Sequence, residues 1–143
     1  MMRFPMSLGV AAVTAGCLAS GALARAASQS ATTRRLMEGE QLFHSYCAPC
    51  HGADAKGRGP AASALKTAPA DLTAIATRNG GTFPRARLIR YVAEGEPSIP
   101  AHGSKTMPVW GPNFVALDPG SFKPVSQRIE DVVAYVESIQ AKK

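Results

Sequence analysis

Aromatic side chains make up only 6% of the 143 residues, few for a core of that size, while apolar residues overall reach 45%. The second figure excludes a disordered chain. The first leaves room for a large buried prosthetic group to supply apolar volume that side chains do not. Strand-like alternation, hairpin turns and internal repeats are missing, which excludes a sheet-based fold and leaves an all-α architecture. Beyond the first two dozen residues there is no long apolar run, so no second candidate for a membrane-spanning segment exists. The formal charge of +6 has no nucleic-acid-reading motif beside it, and the basic residues are scattered. No nucleic acid is expected as a partner; acidic protein surfaces are.

The N-terminus reads as an export signal. Arg3 is a weak positive start, Leu8 to about Leu23 is an apolar, small-residue stretch, and Ala22-Leu23-Ala24 offers a cleavage site. Residues 1–24 are therefore expected to be removed, giving a periplasmic address, and 25–33 read as a linker ahead of a domain over 34–143. A lipid anchor on Cys17, within Ala15-Gly16-Cys17, is a weaker alternative, because Thr14 stands where such sites carry a leucine-like residue.

Three cysteines are present, and removal of the leader leaves Cys47 and Cys50. Two thiols this close in an exported protein invite a disulfide unless something else consumes them. The next residue completes Cys47-Ala48-Pro49-Cys50-His51, the C-x-x-C-H pattern of covalent c-type haem attachment. Two thiols at this spacing can form thioethers to one porphyrin, while the adjacent imidazole of His51 reaches the iron from one face. Iron then needs a sixth ligand or an open site. Met107, in the run Met107-Pro108-Val109-Trp110-Gly111, is the candidate; His102, five residues earlier, is its rival. Thioether ligation raises the potential and keeps oxygen and peroxide off the iron, which favours electron transfer over catalysis. Met37 and His44 read as packing or surface residues.

The helices follow from spacing. Leu36, Gly39, Phe43 and Tyr46 share one face of a first helix over about 34–46. Asp71 caps a short helix that ends near Arg78 at Asn79-Gly80-Gly81. Pro84 opens a third helix that stops at Gly95, with Leu88, Ile89 and Val92 inward. Residues 96–124 hold Pro97, Pro100, Pro108, Pro112, Pro119 and Pro124 and read as loop. A last helix over about 126–140 carries the stripe Ile129, Val132, Val133, Val136 and Ile139. Gly39 permits close approach of another helix, with Tyr135 as the residue to pack over it.

Taken together, Gly39 to Phe43, Cys47 to Gly52, Gly57-Arg58-Gly59-Pro60, Pro69-Ala70-Asp71-Leu72, His102-Gly103 and Met107 to Gly111 resemble the bacterial class I cytochromes c, over about 36–139. The resemblance implies a cytochrome c-like bundle of about four helices with long loops around one covalent haem c, in a monomeric single-electron carrier rather than an enzyme. It also implies that Pro60 supplies the carbonyl that accepts the His51 ring proton, and, more weakly, that Trp110 and Arg78 contact the haem propionates. Its partners would be redox proteins, a membrane-bound oxidase or dehydrogenase among them, steered by Lys56, Arg58 and Lys105.

Three other readings compete. A thioredoxin-like dithiol protein would use Cys47-Ala48-Pro49-Cys50, but between a strand and a helix. A zinc module would use Cys47, Cys50, His51 and His102, although adjacent Cys50 and His51 make poor corners of one tetrahedron. A peroxidase would need Met107 to be labile.

Overall fold

In a computed structural model the described residues are 12–95 and 107–141, and of residues 12–24 only the backbone is described. The chain divides into two units, 1–34 and 35–143. Among the described residues every regular element is helical, and no helix is long and apolar enough to cross a membrane.

Helix α1 spans Ala12–Leu42. The segment 25–33, expected as a linker, is helical, and its residues are exposed. It contains no glycine or proline, and Ala26, Ala27 and Ala31 are strong helix formers. Its hydroxyl groups bond back along the helix: Thr32 donates to the Ser28 carbonyl and Thr33 to that of Gln29.

In the second unit, α1 continues to Leu42 and gives way to a π-turn over Phe43–Cys47. Then follow the short α2, Ala48–His51, a loop, and a 3₁₀ turn over Leu72–Ala74 that leads into α3, Ile75–Arg78. The Asp71 side chain accepts from the Thr73 amide, the N-cap expected there. Helix α4, Arg85–Glu94, starts after Pro84 and ends on left-handed Gly95. Helix α6, Val125–Ser138, buries Ile129, Val132, Val133 and Val136, while Ile139 is partly buried. These side chains meet Phe43, Leu88, Val92 and Phe114 in one apolar core, each worth roughly 2 kcal/mol of burial.

Helix α5, Trp110–Leu117, lies inside the stretch expected to be loop. Pro112 is its third residue, and the first turn of a helix has no intrahelical use for an amide hydrogen. The proline density that argued against a long helix therefore tolerates a short one. Buried Arg128 ties α6 to it: its guanidinium donates to the Phe114 carbonyl at 3.1 Å and stacks 4.5 Å from the Phe114 ring.

The crossing of α1 and α6 is as expected. The Asp131 carbonyl and Tyr135 Cβ crowd the space beside Gly39, and the Phe43 and Tyr135 rings lie 5.3 Å apart.

Candidate haem site

The π-turn sets up the site. Its i→i+5 bonding fits one extra residue into the spiral, and it delivers buried Phe43 and Cys47 to the interior. Helix α2 then presents Cys50 and buried His51. So short a helix leaves its carbonyls without intrahelical partners, and the following loop supplies them. The carbonyls of Pro49, Cys50 and His51 accept from the amides of Ala61, Gly59 and Gly57 at 2.8, 3.0 and 2.6 Å.

Gly57 does two things. Its φ of +79° is left-handed, and its missing side chain leaves space that the Pro69 carbonyl fills. The chain 69–72 thereby lies against the loop, with the Leu72 amide donating to Ala55 at 2.8 Å. This approach sets the Ala70 carbonyl 3.0 Å from His51 Nδ1. A carbonyl can only accept, so Nδ1 carries the proton and Nε2 keeps its lone pair. The expectation that Pro60 supplies this carbonyl is not met: Pro60 is exposed, and the partner comes from the second proline-containing segment, which Gly57 admits.

A cleft of about 220 Å³ is lined by Tyr46, Cys47, Cys50 and His51, by Leu65 and 67–70, and by Met107, Pro108 and Trp110. Most of its wall is apolar. Met107 thus stands at the same cleft as the attachment pentapeptide, as does Trp110. A second space of about 20 Å³ shares Cys47, His51 and Met107, backed by Leu88, Val132 and Val136. Tyr46, Trp110 and Phe114 form a three-ring cluster with centroids 5.3–5.4 Å apart, joining the π-turn to α5 and so to the run that carries Met107. His102 and Lys105 lie outside the described residues. Arg78 donates to the Asp71 carbonyl at 2.6 Å. Met37 and His44 are exposed, as expected.

Burial pushes the imidazole of His51 below its ordinary value, while the Ala70 bond acts the other way; the ring is neutral and suited to bind a metal. Burial, with Cys50 adding to it, pushes the Cys47 thiol up to about 12. A dithiol redox centre works through an accessible thiolate of low pKa, and among the described residues there is no strand to precede the motif. The thioredoxin-like reading therefore has neither its chemistry nor its scaffold. Nor do three His, Cys, Asp or Glu side chains converge as a metal cage among the described residues. Two thiols, a neutral imidazole and a thioether around one apolar cleft instead fit an iron porphyrin.

Sequence reasoning missed Ala70 and the wall of Leu65 and 67–70. Ala70 acts through its backbone, which leaves no mark in the residue type; the only clue was the cap at Asp71, which fixes where the segment turns.

An all-α chain with this donor set is a c-type cytochrome, an electron-transfer protein that binds haem c. A family model described as cytochrome c oxidase, cbb3-type, subunit III matches residues 34–118, and the chain belongs to that family. No curated protein and no solved structure matches it.

Proposed function

We propose that the protein is an exported mono-haem electron carrier with His51 and Met107 as axial ligands. The observation that carries this is that Cys47, Cys50, His51 and Met107 line one apolar cleft. Cys47 and Cys50 hold the group as thioethers, and His51 offers Nε2 while Ala70 keeps the proton on Nδ1. Met107 would offer its thioether from the same cleft and exclude other ligands. When bound, the haem supplies a one-electron iron couple at a potential raised by the thioether. Trp110 and Tyr46 cover the cleft, and exposed Thr67 and Ala68 mark where it meets solvent.

Residues 1–24 are a signal removed on export to the periplasm, and the working domain is 34–143. The family's name points to an oxidase, and the partners proposed are redox proteins, a membrane-bound oxidase foremost. Lys56, Arg58 and Lys66, all exposed, offer charge for acidic surfaces.

The test is a pyridine haemochrome spectrum and intact mass of the full chain, expressed with haem-attachment machinery. One covalent haem on a chain that starts near Arg25 is expected. A colourless product with both thiols open to alkylation overturns the reading.

A further inference from the structure

The segment that supplies the Ala70 carbonyl has only short-range ties within itself, the Asp71 cap on Thr73 and the Arg78 bond to the Asp71 carbonyl. Asp71 is extended, 72–74 form a single 3₁₀ turn, and Ala74, with φ −104° and ψ 12°, breaks the helical path before α3. With no continuous ladder of its own, its position depends on ties from elsewhere. The amide of Gln140, just beyond α6, provides two and is anchored to α6 by a third bond. Its Oε1 accepts from the Ala76 amide at 2.9 Å, and its Nε2 donates to the Leu72 carbonyl at 2.8 Å and to the Val136 carbonyl at 2.7 Å. Ala76 can only donate there and the two carbonyls can only accept, so the orientation of the amide is fixed and both its donor hydrogens are used. The neighbouring Ala141 amide adds a third tie to the segment, to the Thr73 carbonyl at 2.8 Å.

We propose that Gln140 is a positioning residue for the haem ligand, holding 72–76 so that the Ala70 carbonyl stays on the Nδ1 proton of His51. This rests on the proposed role of His51 as iron ligand. A ring whose Nδ1–H is held by a carbonyl is the stronger donor to iron and stabilises the ferric state. Loosening the segment weakens that bond without touching the cleft.

The experiment compares the haem-loaded full chain with its Gln140→Leu variant, following proton exchange at His51 Nδ1 and at the Ala76 and Val92 amides by NMR, together with the reduction potential. Exchange at His51 Nδ1 and Ala76 is expected to accelerate together by about tenfold, the scale of losing net hydrogen-bond stabilisation in a locally opening segment. Val92, on α4, should not change, and the potential should rise. Glu137→Gln, which breaks the ion pair to Arg85 on the same turn of α6, should leave His51 exchange and potential where they were. Gln140→Glu keeps an acceptor for Ala76 but sets a carboxylate oxygen against the Leu72 and Val136 carbonyls; it should shift the same readouts in the same direction, and stands in if the leucine variant does not fold. Acceleration at Ala76 alone, with the His51 proton and the potential unmoved, overturns the proposal but spares the haem reading. Equal acceleration at all three sites overturns it as well, because the effect is then global. A wild-type chain that carries no haem overturns both.

Discussion

The backbone carbonyl of Asp131 occupies the space that a Cβ on Gly39 would need. Backbone cannot rotate out of the way as a side chain can. Gly39→Ala should therefore separate α1 from α6 and destabilise the fold by about 3 kcal/mol, the upper end of overpacking costs. Urea unfolding followed by circular dichroism checks this; a midpoint equal to wild type would show that the helices cross elsewhere.

The Asp131 side chain is fully buried and forms ion pairs with Arg35 at 3.1 Å and with Lys123, which also reaches Glu38. Asp131→Ala should cost about 2 kcal/mol. That is less than breaking a wholly buried pair, because Arg35 and Lys123 are partly exposed and water can take over their charge. A double-mutant cycle with Lys123→Met measures the coupling, and additive losses would contradict the pairing.

Burial alone would lower the Lys123 ammonium, but its hydrogen bonds to Asp131 and Glu38 outweigh it and raise the value. The stabilisation is then complete below the ordinary lysine value, about 10.4, and is lost as pH rises through the raised folded value. Burial also raises the phenols of Tyr91 and Tyr135, and their contribution falls in the same direction from about pH 10. Unfolding midpoints should drop between about pH 10 and about pH 12, and the drop should shrink in Asp131→Asn. A midpoint that rises across that window contradicts the assignment.

Met107→Ala should remove the sulfur-to-iron absorption band at the red end of the visible spectrum and lower the potential. If the band and the potential both survive, the sixth ligand is another residue, and His102 is the first to substitute next.

Exposed Lys66 lies between two residues that line the cleft, Leu65 and Thr67. Lys66→Glu should slow electron exchange with an anionic protein partner about tenfold at low salt and little at high salt, since surface charges are screened beyond roughly 10 Å at 0.1 M. Equal rates at low salt would remove Lys66 from the approach path.

The parts readable from residue order were those governed by local rules. Cys47, Cys50 and His51 announce themselves by spacing, α4 by Pro84 and Gly95, and α6 by its apolar stripe. Helix α5 was hidden because Pro112 counts against a helix everywhere except in the first turn, and spacing alone does not say where a turn begins. The Ala70 carbonyl was hidden for a different reason. Both Gly59-Pro60 and Pro69-Ala70 precede suitable carbonyls, and only the contact at Gly57, between residues 12 apart, decides which segment arrives. The burial of Arg128 and Asp131 left no mark in residue order, because their partners lie on other elements.

The wide turn at Phe43–Cys47 bears on how relatives of this chain can change length. If the same residues closed into an ordinary spiral, everything downstream would swing by about 100° around the axis. The rod would still dock on α6 through Gly39, but the thiols would face away from Met107. A chain one residue shorter there would close the wide turn and keep the thiols in place, whereas one more residue would turn them away.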